Sequence, residues 1–211
     1  MQQKPVNPLL FSNDGYEYLL IANPDESVYN KVMTEKRDFY ERYNEKVAIK
    51  TKPHITVANF LAVESMEDTF IRWIQRICSQ QHSFNVSLNN YSGFPPHTIY
   101  LRVQNPQPFQ QLVNKLSVLD EFIKNNNWPP VMLVRKPHLT IARQLPEQVY
   151  SKAMLDYAHK DFHDSFMVTE LVLLKRKNQF DRCEKVMVFK FLPEKKEEDT
   201  TKNFAPELQF A

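Results

Sequence analysis

Two short stretches of the chain carry the same set of reactive side chains. One reads Lys52-Pro53-His54-Ile55-Thr56-Val57-Ala58, the other Lys136-Pro137-His138-Leu139-Thr140-Ile141-Ala142. Five of the seven positions are identical, the other two exchange one aliphatic residue for another, and the offset is 138 − 54 = 84. A histidine near its ordinary pKa of about 6.5 is the side chain best poised to give or take a proton at neutral pH. Two of them on opposite sides of one reacting atom make an acid–base pair. Threonine hydroxyls can donate hydrogen bonds to non-bridging phosphate oxygens. An in-line displacement at phosphorus needs a base at the entering oxygen and an acid at the leaving oxygen. His54 and His138 are therefore the candidate catalytic pair, with Thr56 and Thr140 as candidate phosphate ligands.

Both stretches read as strands, whose side chains alternate between faces. His54, Thr56 and Ala58 are expected on one face and Ile55 and Val57 in the core. His138, Thr140 and Ala142 repeat this against Leu139 and Ile141. A second match, Ser83-Phe84-Asn85-Val86-Ser87 with Ser165-Phe166-Met167-Val168-Thr169, has an offset of 165 − 83 = 82. Two matches at nearly one offset point to an internal duplication. Two related lobes would set the His/Thr faces across a groove.

The other segments fill in the scaffold. Tyr16–Ala22, Phe84–Tyr91, Thr98–Val103, Phe166–Leu174 and Lys185–Leu192 read as strands, and Gly93-Phe94-Pro95-Pro96 as a turn. Helices are predicted from Pro24 (face Val28, Val32, Phe39, Tyr43), over Phe70–Cys78, over Phe109–Ile123 and from Pro146. Ser65 and Asp68 resemble a capping box. Strands follow one another without a helix between them, which favours α+β with antiparallel sheets. The fold expected is bilobal and duplicated, with two antiparallel sheets facing a central cleft and helices outside. Residues 1–192 form this single domain, after an arm at 1–14, and 193–211 are a charged solvated tail.

Composition narrows the chemistry. The chain has 211 residues and a formal charge of +2, too small a basic footprint for holding long duplex nucleic acid. Only Gly15 and Gly93 are glycine, so a Walker loop or dinucleotide fingerprint is excluded and phosphate must be held by side chains. Cys78 and Cys183 lie in apolar-periodic segments and are expected as buried free thiols, in keeping with a reducing cytoplasmic setting. Neither a signal peptide nor a membrane span is read.

These residues carry a family resemblance. Paired His-hydrophobic-Thr-hydrophobic motifs in a duplicated chain of this length resemble the 2H phosphoesterase superfamily. Pro137-His138-Leu139-Thr140-Ile141-Ala142-Arg143 is especially similar to its bacterial 2'-5' RNA ligase and RNA 2',3'-cyclic phosphodiesterase branch. The resemblance spans roughly residues 16–192, including the turn and apolar strand from Phe94 to Val103. It implies a bilobal α+β fold and metal-independent cleavage of a 2',3'-cyclic or related nucleotide or RNA-end phosphodiester, by a monomer without a cofactor. It further implies His54 and His138 as acid and base, Thr56 and Thr140 on the phosphate, and Arg143 beside them. Period two points Arg143 away from His138 unless the strand ends there.

Other polar and aromatic residues have plainer readings. His159 and His163 are four apart but straddle an expected helix end, so no metal site is read. Lys175-Arg176-Lys177 is ordinarily a solvated strand end, with Arg176 the candidate for a phosphate contact. Phe94 and Tyr100 suit either core or base stacking. Two functions besides hydrolysis stay open: strand joining of the 2'-5' ligase type, and a nucleotide-binding module without turnover.

Overall fold

The computed structural model describes residues 15–178 and 181–195; the arm at 1–14 and the charged tail from 196 onward lie outside them. The described residues form nine strands and six helices. In chain order they are β1 (Gly15–Ala22), α1 (Glu26–Tyr43), α2 (Val47–Lys50), β2 (Ile55–Val63), α3 (Glu67–Cys78), β3 (Phe84–Phe94), β4 (Thr98–Val103), α4 (Gln107–Lys115) and α5 (Ser117–Asn125). Then come β5 (Met132–Leu133), β6 (His138–Ala142), α6 (Glu147–Tyr157), β7 (His163–Val168), β8 (Glu170–Arg176) and β9 (Glu184–Lys190).

The fold is α+β and its strand pairs are antiparallel. The strands run β7-β3-β4-β6-β2-β1-β8-β9, with β5 added to β2. The two sheets expected from the sequence are thus joined into one ladder, through the register pair Ile55–Leu139 between β2 and β6. The halves on either side are not consecutive pieces of chain. β8 crosses over to pair with β1, and β3 leaves to pair with β4. The second sequence match falls on strands that pair with each other: Phe84 stands opposite Val168 and Val86 opposite Phe166.

Local chemistry sets the elements. Asp25, not Pro24, starts α1, its carboxylate accepting the Val28 N–H at 2.9 Å, and Asn44 ends it in the left-handed region at φ 56°. Ser65 is not a cap; it lies in a 3-10 turn, Glu64–Met66, ahead of α3. The helix expected over Phe109–Ile123 is two helices that meet at Leu116. Tyr18, Phe60 and Phe70 cluster with centroids 4.9–5.3 Å apart, locking α3 onto β1 and β2. Gly93 is required by close approach, since a Cβ there would lie 2.2 Å from the Tyr150 hydroxyl of α6. Cys78 is buried as expected; Cys183 is exposed, because it precedes β9 instead of lying within it. No helix among the described residues is long and apolar enough to cross a membrane.

Candidate active site

Ile55, Val57, Leu139 and Ile141 are fully buried, while His54, Thr56, His138 and Thr140 are half-buried on the other face. Ile55 stands opposite Leu139 in an antiparallel pair. Carried one residue in each direction, that register sets His54 across from Thr140 and Thr56 across from His138. Direct neighbours in such a ladder have Cβ atoms about 4.5–5.5 Å apart and diagonal ones about 7–8 Å. His54 and His138 are a diagonal pair, with room for a phosphoryl group between them.

Each imidazole is held the same way. His54 Nδ1 lies 2.8 Å from the Lys52 carbonyl oxygen and His138 Nδ1 lies 2.9 Å from that of Lys136. A carbonyl only accepts, so Nδ1 carries the hydrogen in both rings and Nε2 is left as the proton acceptor. Lys-Pro before each histidine contributes here: the proline holds the preceding residue extended, and that lysine's carbonyl turns to the ring two positions on.

Burial pushes both histidines below their ordinary pKa. The tethering carbonyls oppose this. Positive neighbours add to it: Lys36, Arg143 and His138 for His54, and Lys136 for His138. The surroundings therefore favour neutral rings until a negative group arrives.

The two motif strands share an irregularity. On β2, Leu20 pairs with Ala58 and Ile21 with Thr56, leaving Val57 as the extra residue. On β6, Ile99 pairs with Ala142 and Tyr100 with Thr140, leaving Ile141 as the extra residue. Each motif is bulged one residue after its threonine, and a bulge resets the alternation. Ala58 and Ala142, expected beside the histidines, are buried at 0% and 1%. The face they were assigned passes to the next residues, Asn59 and Arg143. β6 also ends at Ala142, and Arg143, exposed, lies within electrostatic reach of His54, Lys36 and Arg176.

The remaining candidates divide. Register puts Thr56, Ile21, Leu19, Asn59, Glu17 and Arg176 on one face. Arg176 Nε donates to Glu17 Oε2 at 2.5 Å and Asn59 Nδ2 to Glu17 Oε1 at 2.8 Å, so Glu17 orients both. Phe94 and Tyr100 form a wall beside His138, with centroids 4.9 and 5.0 Å from its ring. Lys136 Nζ caps Phe94 at 5.4 Å. Tyr100 is 1% exposed, so it backs the histidine; Phe94 is half-buried and offers the accessible ring. Lys175 is engaged by Glu64 and Glu67 at 2.6 and 2.9 Å, and Lys177 lies over Tyr16, away from the site. His159 follows α6 and His163 opens β7, both exposed and on separate elements.

Lys36 and Glu17 were not anticipated. Lys36 is 1% exposed on α1, and its spacing could have marked it: Val28, Val32, Lys36 and Phe39 follow the 3.6-residue period of a buried face.

Known proteins resemble this chain in sequence and in fold. Residues 24–179 match the family model of the 2'-5' RNA ligase superfamily. A protein of Staphylococcus aureus (strain MRSA252), provisionally named a phosphoesterase, is 23% identical over 164 residues, covering 76% of this chain and 94% of its own. Among solved structures, E. coli LigT complexed with phosphate superposes with a TM-score of 0.58 at 13% identity, over 85% of this chain and 99% of that one. LigT complexed with 3'-AMP gives 0.59 at 14% identity, over 84% and 99%. A protein of Thermus thermophilus gives 0.59 at 14% identity, over 85% and 100%. At these identities the structures establish a shared fold.

Proposed function

This chain belongs to the 2'-5' RNA ligase superfamily of 2H phosphoesterases, and on that footing we propose that it is a metal-independent phosphodiesterase acting on a 2',3'-cyclic phosphate of a nucleotide or RNA end. The observation that carries the reading is the matched pair of tethered imidazoles, each with Nδ1 on a carbonyl and Nε2 left to exchange a proton. Neutral His54 takes a proton from water as the water oxygen bonds to phosphorus. The bond from phosphorus to one ribose oxygen breaks, and that oxygen takes a proton from His138. Thr56 and Thr140 donate to the non-bridging oxygens, and Arg143 offsets their charge. Phe94 supplies an apolar ring for the base. The 3'-AMP bound by LigT, in a neighbour of the same fold, is in keeping with a nucleotide ligand.

Run in reverse with a ribose hydroxyl in place of product, the same groups would join strands. The net charge of +2 gives little footing for long RNA, and this favours hydrolysis of small or terminal phosphodiesters. A pure binding module needs no matched tautomers on two histidines. The test is a panel of 2',3'-cyclic nucleotides, RNA ending in a cyclic phosphate, and 2'-5'-linked oligonucleotides, each with and without EDTA. Hydrolysis of a cyclic phosphate that survives the chelator is expected. Activity abolished by EDTA and restored by zinc or manganese would overturn the mechanism, and no turnover with retained binding would favour the module.

A further inference from the structure

The bulge in each motif strand leaves carbonyl groups in need of donors. On β2 the Val57 carbonyl receives the backbone N–H of Val134 at 2.9 Å. On β6 the corresponding donor is a side chain. Lys36 Nζ donates to the carbonyl oxygens of Thr140 and Ile141, both at 3.0 Å, and to Thr51 Oγ1 at 3.4 Å. Its three hydrogens thus have three acceptors, all neutral. This makes Lys36 a link between α1, the lead-in to the first motif and the main chain of the second.

Resting on the phosphodiesterase reading above, we propose that Lys36 is a positioning residue that gives the two histidines different roles: it fixes the bulged second motif against α1 and, by placing its ammonium beside His54, assigns the base to His54 and the acid to His138. The geometry supports this from both sides. Thr140, whose carbonyl Lys36 holds, is the residue across the ladder from His54. Thr51 lies three residues before it. Of the carboxylates on α1 and β7, Glu35 is engaged by Lys160 and Tyr91, and Asp164 by Lys31. From β6 and the residue that follows it come the cations His138 and Arg143, which act in the same sense. His138 faces Lys136, which is exposed and stands over Phe94. A buried charge is screened far less than an exposed one, so the stronger push toward the neutral ring falls on His54.

The experiment is an NMR titration of both imidazoles in the free protein: wild type, Lys36→Met and Lys36→Arg. In wild type His54 should titrate below His138. Lys36→Met should raise His54 by about half a pH unit or more and leave His138 nearly in place, whereas Lys36→Arg, which keeps the charge, should leave His54 low. The acid limb of kcat/KM should follow His54 upward in Lys36→Met. A His54 that titrates at or above His138 in wild type overturns the proposal even if the Met variant does not fold. So does a folded Met variant with His54 unmoved. The titration needs no substrate, so it can succeed while every member of the cyclic-phosphate panel fails, and the reverse.

Discussion

Among the described residues, β2 and β6 meet at one register pair, Ile55 opposite Leu139, both fully buried. The relative placement of His54 and His138 hangs on this contact. Truncating either partner opens a cavity where the two halves join. Ile55→Ala should cost about 2–5 kcal/mol, the usual range for a buried aliphatic residue, read as a lowered urea midpoint. Its kcat should fall further than that of an equally destabilising change remote from the junction, such as Ile74→Ala in α3. Equal activity in the two variants would mean that the junction does not set the histidine spacing.

His54→Ala and His138→Ala should each lower kcat by roughly 10²–10⁴-fold, the scale of general acid–base catalysis. The double variant should fall little below the worse single one, because the two act as a unit. Thr56→Val and Thr140→Val keep the branched shape of the strand, and losing one charge-assisted bond should cost each about 1.5–3 kcal/mol of transition-state binding. Steady-state kinetics on the best cyclic substrate decides this. A folded single-histidine variant with full activity would remove the paired mechanism.

Both histidines are held below their ordinary pKa of about 6.5 by burial and cationic neighbours. For kcat/KM, the base must be unprotonated and the acid protonated in the free enzyme. The profile should be a bell whose optimum lies below about pH 6.5 and whose alkaline limb follows the loss of the His138 proton. Bound phosphodiester brings a negative charge between the rings and raises both pKa values. The kcat bell should therefore sit at higher pH than the kcat/KM bell. Coincident profiles, or a kcat/KM optimum above about pH 7.5, would contradict the electrostatics described.

The parts of the site legible in the sequence are those obeying a simple period. The duplicated motifs and two-residue alternation put His54, Thr56, His138 and Thr140 on a half-open face with Ile55 and Leu139 inside. Ala58 and Ala142 lie inside because the bulges sit at Val57 and Ile141, ordinary strand residues with no glycine to announce an irregularity. Arg143 comes within electrostatic reach of His54 because β6 ends at Ala142, the condition under which the alternation allows it. Lys36 is absent from the predicted face of α1 because a lysine between apolar positions ordinarily reaches solvent, although its spacing sets it on the buried face. The crossing of β3 and β8 between halves leaves no local mark, because strand partners are chosen by tertiary packing. The Ser83 and Ser165 segments look alike yet pair with each other, so their likeness fits a shared sheet position as well as a shared ancestry.

Gly93 lies where β3 passes under α6, and the Tyr150 ring lies so close that an added methyl would meet its hydroxyl at 2.2 Å and two ring carbons at 3.0 Å. Tyr150 is 8% exposed and has little room to withdraw. Gly93→Ala should therefore destabilise by about 1–3 kcal/mol, as overpacking does. Adding Tyr150→Phe should recover part of the loss, since it removes the hydroxyl but not the ring carbons. Thermal melts of the two single variants and the double variant test the coupling. Strict additivity would show that the clash is relieved by backbone movement.

Lys36 also makes a prediction about stability in alkali. Burial, with a smaller push from Arg143, lowers its pKa from 10.5 to about 8. Below pH 8 the side chain is protonated in both folded and unfolded chains, so it adds no slope. Between 8 and 10.5 the unfolded chain keeps the proton that the folded chain has released. The unfolded state then binds more protons, and stability rises with pH. A gap of this size corresponds to roughly 3–4 kcal/mol at full extent. Other groups titrate in the same window, so the quantity to follow is the difference between wild type and Lys36→Met. Urea unfolding at about pH 7.5 and about pH 9.5 should show wild type gaining on the Met variant as the pH rises. Parallel behaviour across the interval would mean that Lys36 keeps its proton in the folded protein, with the carbonyls of Thr140 and Ile141 enough to hold it there.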